Sequence, residues 1–274
     1  MVVQQRRRSG AFAVVAAVVG AVVGAAITGC SGAADASPGA DPGDAVRKAP
    51  DVLTRAGTSK ARTSMEMATG GTRVTIRGEG AYDFVQRHGQ LKVVLPEDPS
   101  GTDGHRPITE LFAPGALYMK NRGAGVPADK WVRVDTTTLE DGNLVTGGAT
   151  DPAAAAELLR GAQDVRYVGE EELAGVPVAH YRGVSDLGRA ARAASPQVRG
   201  ALAAAAKGFA KDAVPFDAYL DREGRLRKVR HQFSFANQGR TVAVASTTLL
   251  YEFGAPVAVR LPPREDIYAG KVKA

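Results

Sequence analysis

The side chains with the most chemistry open to them in this 274-residue sequence are one cysteine and four histidines. Cys30 has no second cysteine with which to form an intramolecular disulfide, so its thiol is left for modification, metal binding or no task at all. His88, His105, His180 and His231 are scattered. A zinc-type site would need several of them brought together without help from another thiolate, and we expect no metal and no cofactor. The sequence contains no Gly-x-Ser-x-Gly elbow, no Gly-rich phosphate loop ending in Lys-Ser or Lys-Thr, and no His-Glu-x-x-His pair. No catalytic residue is therefore assigned and a non-enzymatic role is expected. His180, in "VAHYRG", reads as a strand residue satisfied by hydrogen bonds, and Glu170, Glu171 and Glu172 as a solvated turn after a strand.

What surrounds Cys30 narrows its task. Residues 1–29 carry Arg6, Arg7 and Arg8, no acidic residue, and an apolar run from Ala11 to Ile27. That is the basic and apolar order of a secretory signal, in which the charges stay cytoplasmic. Ile27-Thr28-Gly29-Cys30 resembles a bacterial lipobox, in which an aliphatic residue and two small ones precede a cysteine that is acylated and becomes the mature N-terminus. An uncleaved transmembrane helix is the alternative, but the run is at the short margin of the about 20 residues a span requires, and it gives the cysteine no role. Arg7-Arg8 ahead of Phe12 hints at twin-arginine export, with general secretion the other route. The expected address is the outer face of the cytoplasmic membrane, lipid-anchored through Cys30.

Export changes the charge argument. The formal charge is +6, from 35 basic and 29 acidic residues; three arginines leave with the leader, which gives 32 − 29 = +3. A nearly balanced chain lacks the basic stripe of a nucleic-acid binder, and no nucleic-acid partner is expected. Residues 30–45 are rich in Gly, Ala, Ser, Pro and Asp, have no large hydrophobe before Val46, and read as a flexible tether. The folded domain is expected over residues 46–274, opening with a short helix around Val52 and Leu53 that Gly57 ends.

From Ala61 onward, short period-two segments alternate with Gly, Pro, Asp and Asn punctuation, the pattern of antiparallel strands joined by hairpins. In "AYLDREGRLRKV", Asp221 to Gly224 supply the turn. Two stretches break the rhythm. "TDPAAAAELLRGAQ" offers Asp151 as N-cap and Pro152 at the first helical position, and residues 186–213 carry apolar side chains at helical spacing with Pro196 as a break. Such a sheet must cover its apolar face, and the helices are the elements available to do so, which makes the fold class α+β.

The segments "GALYMKN", "ADKWVRVD", "GVPVAHYRG", "FDAYLDREGRLRKVR" and "FGAPVAVRLPP" resemble, in order and spacing, the successive landmarks of actinobacterial LppX- and LprG-type lipoproteins, over about Val46 to Asp266. The resemblance implies a LolA- or LolB-like fold: a strongly bent antiparallel sheet, or half barrel, with helices over its concave face. It also implies an apolar cavity between the two layers that holds acyl chains of envelope lipids. Shielding an acyl chain from water is worth about 0.8 kcal/mol per CH₂ and needs shape and apolar lining, not a catalytic constellation.

Residues expected to line such a cavity, or else to form plain core, are Val74, Ile76, Leu91, Val93, Leu117, Met119, Val132, Val134, Leu202, Phe209, Phe233 and Phe235. Trp131 alternates out of phase with Val132 and Val134 and is expected to pack near a strand end. Arg189, Arg192, Arg199, Lys207 and Lys211 decorate the helical stretch, as a solvated face or a contact for anionic head groups. Expected partners are the membrane, an envelope lipid or glycolipid, and a membrane transporter or regulator. The alternatives are an envelope sensor of the same fold acting through a membrane protein, and a structural lipoprotein without ligand.

Overall fold

The alternation becomes eleven antiparallel strands in one sheet. The computed structural model describes residues 41–69, 72–96, 106–123, 125–146, 149–209, 211–237 and 240–270. Residues 1–40, with the leader, the lipobox and Cys30, lie outside that set. The strands are β1 (Thr58–Thr69), β2 (Thr72–Asp83), β3 (His88–Val94), β4 (Ile108–Ala113), β5 (Ala116–Lys120), β6 (Trp131–Asp135), β7 (Ala162–Leu173), β8 (Val176–Asp186), β9 (Ala213–Leu220), β10 (Leu226–Asn237) and β11 (Arg240–Tyr251). The helices are α1 (Pro42–Ala56), α2 (Pro152–Glu157), α3 (Leu187–Ala193) and α4 (Pro196–Gly208).

Strand order is β6-β5-β4-β3-β2-β1-β11-β10-β9-β8-β7. Two meanders, β1–β6 and β7–β11, are joined where β1 pairs with β11, and the sheet stays open as a half barrel with β6 and β7 at its edges. This order forces a crossing. The chain must pass from one edge strand to the other between β6 and β7, and it does so over one face, through the loop 136–150 and α2. α3 and α4 leave from β8 and return to β9, its neighbour, so they are an excursion onto the same face. Side chains of all four helices and of that face form a single hydrophobic core.

Local chemistry explains most boundaries. Asp41 accepts the Gly43 N–H at 2.9 Å and caps α1, Pro42 occupies the first turn, and Gly57 stops the helix at φ +82°, a conformation open to glycine. The helix therefore takes in Pro42 to Ala45, four residues that composition alone assigned to the tether. The capping pair Asp41-Pro42 starts it, and Arg47 holds both Asp41 and Asp44. Asp151 caps α2 as expected, and the 186–213 stretch divides at Ser195-Pro196 into α3 and α4. In the β9–β10 turn Gly224 donates to the Asp221 carbonyl at 2.8 Å with φ +74°. Glu170, Glu171 and Glu172 lie within β7, exposed on an edge strand, and the turn itself falls at Ala174-Gly175. The period-two alternation of the sequence does not extend to β4, "ITELFA".

Candidate functional site

Residues directly opposite one another in an antiparallel ladder share a face, so register shows which predicted positions meet. Leu91 lies opposite Glu110, Glu110 opposite Met119, and Met119 opposite Val132. Val93 faces Ile108, and Phe112, Leu117 and Val134 form the next row. Ile76 lies opposite Met65, Val74 opposite Met67, and Phe233 opposite Val244. Leu202 and Phe209 come down from α4 and its end, with the Phe209 ring 5.3 Å from that of Phe233. Eleven of the twelve expected lining residues thus share one apolar layer between sheet and helices. Phe235 pairs with Val242 in the ladder, and its side chain lies outside the described set.

That layer is packed tightly. Leu91, Val93 and Leu202 have no surface a water-sized sphere can touch, and Leu117 and Phe233 retain 1% and 2%. A chamber wide enough for an acyl chain would admit such a sphere, so at these positions the residues are core. Residual exposure lies at the margins of the layer. Val74 and Met67 are half-buried at the β1–β2 hairpin end, with Ile76 and Phe209 beside them still slightly open, and Val134 is half-buried on the edge strand β6. These side chains form an apolar rim around an apolar floor.

The roof is built from small side chains. Ala153 to Ala156 of α2 are all buried, as are Ala190 and Ala191 of α3 and Ala201 and Ala205 of α4. The loop 136–150 completes it: Leu144 and Ala149 are buried, and Thr150 Oγ1 lies 2.6 Å from Ser246 Oγ on β11. Gly142, at φ +56°, lies so close to α4 that a Cβ there would fall on the Ala201 carbonyl. The basic residues Arg189, Arg192, Arg199, Lys207 and Lys211 are exposed on or beside the roof helices.

Sequence reasoning missed the polar groups set into the floor. Glu110 is fully buried on β4 with both carboxylate oxygens lacking a partner among the described residues, and burial pushes its carboxyl up to about 8, against a weaker pull from the charge of Arg122. His231, between Phe216 and Phe233, is buried with Nε2 unpartnered among the described residues, and burial lowers it to about 3, so the ring is neutral. Thr248 Oγ1 is likewise buried and unpartnered among the described residues. An acid inside an apolar strand breaks the alternation that flags a strand, so Glu110 also hid β4.

His180 is a strand residue as expected, but a single hydrogen bond, from Nε2 to Asp217, holds its ring; Nδ1 has no hydrogen-bond partner among the described residues although it lies near Glu171. On the outer face, Nε2 lies 2.8 Å from Asp217 Oδ1, Nδ1 lies 2.8 Å from Glu171 Oε1, and the ring stacks on Tyr219 at 4.4 Å. Trp131 starts the edge strand β6, with the Lys120 ammonium 5.5 Å from its ring. Among the described residues no cluster of His, Cys, Asp and Glu has the makings of a metal site, and no helix is long and apolar enough to cross a membrane.

No protein-family model and no curated protein matches the chain. Solved structures do. The chain is similar in fold to LppX and LprF. The Mycobacterium tuberculosis lipoprotein LppX is 10% identical, over 80% of this chain and 98% of that one, with a TM-score of 0.47. LprF from Mycobacterium bovis is 13% identical over 81% and 96%, with a TM-score of 0.40. A LolA-superfamily protein from Nitrosomonas europaea is 11% identical over 78% and 95%, with a TM-score of 0.36.

Proposed function

We propose that this chain is a membrane-anchored extracytoplasmic lipoprotein that binds acyl chains of an envelope lipid or glycolipid between its sheet and its helices. The observation that carries the reading is the apolar floor, which runs in register from Val134 and Leu117 through Leu91 and Val93 to Phe233 and ends in a rim of partly exposed apolar side chains. Alanine methyls interlock shallowly with the floor. Where alanine lines it the roof can part from the floor with little loss of contact, an entering acyl chain displaces Leu202 and Phe209, and each CH₂ it buries recovers about 0.8 kcal/mol. The buried polar groups of the floor, Glu110, His231 and Thr248, support the same reading, since native interiors leave few such groups without a partner. Binding of this kind requires no catalysis. Residues 30–41, up to the start of α1 at Pro42, act as the tether, and the acyl anchor on Cys30 holds the domain at the outer face of the cytoplasmic membrane.

The test is mass spectrometry of lipids that co-purify with the protein from its native membrane. A bound diacyl or triacyl lipid is expected, and Phe209→Asp, which puts a charge at the rim, should reduce its recovery about tenfold. Protein that is reproducibly empty, or lipid recovery indifferent to Phe209→Asp, counts against the interior site.

A further inference from the structure

The opposite face of the sheet carries an open groove crossed by a segment of the chain itself. After β11 the chain does not end at the core: residues 252–270 run as a strap across the outer face, from the centre of the sheet to its β6 edge. The strap is fastened at both ends. Gly254 donates to the Thr58 carbonyl at 2.9 Å and Thr58 Oγ1 donates to the Ala255 carbonyl at 2.7 Å; at the far end Tyr268 donates to the Trp131 carbonyl at 2.8 Å and Lys130 Nζ to that of Glu265 at 2.9 Å. Between these fastenings the strap stands off the sheet over a groove of about 950 Å³, continued toward Trp131 by a space of about 350 Å³ that shares Gln90 and Ala258 with it. Spanning β1 to β6 means crossing five interstrand spacings, about 24 Å.

The walls select among ligands. Ala81, Gln90 and Leu111 lie opposite one another in the ladder and make the floor, and Val257 and Val259 belong to the strap. The backbone groups of these central strands are spent on their neighbours in the sheet, so the floor offers an extended peptide no backbone partners. A hydrocarbon chain has no such need. On the wall of the main groove Lys60 pairs with Glu252 and Glu79 with Arg62, while Lys92 has no ion-pair partner among the described residues; Arg260, on the continuation toward Trp131, has none among them either. We propose that the strap groove binds a single acyl chain of a free fatty acid, with its carboxylate on Lys92 and its tail running beneath Val257 and Val259 toward Trp131. This site is separate from the interior one, since the two lie on opposite faces of the sheet.

The test is photolabelling of the full chain, in nanodiscs of zwitterionic lipid, with a palmitate bearing a diazirine near its tail, followed by peptide mapping. Label is expected on the strap peptide 255–261 and on the β4 peptide containing Leu111. Ala81→Trp, which fills the floor, should cut that labelling about tenfold, and Lys92→Glu, an exposed change that leaves the fold intact, about fivefold. A diazirine analogue of hexadecanol, with no carboxylate, should label about as weakly as Lys92→Glu does with palmitate. Label confined to interior peptides around Leu117 and Phe233 overturns the groove and leaves the interior site standing. Label confined to the strap and Leu111 peptides supports the groove, and the interior site is then decided by the lipids that co-purify. Strap labelling unchanged by Ala81→Trp, or equal for palmitate and the alcohol, also sinks the proposal.

Discussion

Glu110 is the residue at which stability and site chemistry meet. Its carboxyl is neutral in the folded protein up to about pH 8, whereas an unfolded glutamate ionises near its ordinary value of 4.5. Between those two values the folded state holds one proton more than the unfolded state, so folding stability falls as pH rises through that window and is fully present only below it. Glu110→Gln has no proton to lose. The variant's advantage over the wild type should therefore grow by roughly 3–5 kcal/mol from pH 4.5 to pH 8. Urea unfolding at both pH values measures it, and parallel pH profiles for the two proteins would show that Glu110 is not buried as described. Nothing in the alternation of the sequence announced this residue. A carboxylate in "ITELFA" reads as a surface position, and only the pairing of Leu91, Glu110 and Met119 across three strands places it inside.

At the scale of elements, the roof is held by ions as much as by alanine. Glu157, at the end of α2, is fully buried and bonds Arg87 of the β2–β3 turn at 3.0 Å, Arg160 at 2.6 Å and the Ser195 N–H between α3 and α4 at 3.2 Å, while Arg160 reaches Asp51 of α1 at 2.6 Å. One carboxylate thus ties sheet, α2 and the α3–α4 junction together. Removing it strands Arg87, whose side chain is only 10% exposed, as a buried unpaired charge. Glu157→Ala should cost about 3–5 kcal/mol, read as a lowered midpoint in denaturant titration. A loss no larger than that of an exposed ion pair, at most about 1 kcal/mol, would mean that the roof does not depend on this knot. The helices themselves were legible because Asp151-Pro152 and Ser195-Pro196 are local signals. The knot was not, because its members come from residues 51, 87, 157, 160 and 195.

At the scale of the whole molecule, the proposed function gives attachment to Cys30 and ligand binding to the folded domain. If Cys30 serves attachment alone, as proposed, its replacement should leave the fold of residues 41–270 untouched. Cys30→Ala should abolish membrane retention, or leave an unprocessed precursor, while circular dichroism and the unfolding midpoint stay at wild-type values; fractionation followed by mass measurement reads both. A variant still anchored and cleaved as before would end the lipoprotein reading. The two faces of the sheet have different covers: helices and the 136–150 loop on one, the C-terminal strap on the other. Pro256, Pro262 and Pro263, set among Val257, Val259 and Leu261, identify an extended segment unable to join a central strand. Which face that segment crosses, and that it stands clear of the sheet, no local signal could state.

The sequence by itself determined the class of the fold, the strands with clean alternation, the capped helices, the hairpin at Asp221 to Gly224 and the membership of the apolar layer, because each follows from period, caps or turn residues within a few positions. Only the tertiary structure decided that this layer closes into packed core, that Glu110 and His231 lie inside it, and that a strap crosses a groove behind it. Those outcomes depend on register between strands far apart in the chain and on which connection crosses which face. Register is set by the summed burial of whole strands rather than by any residue's neighbours in sequence.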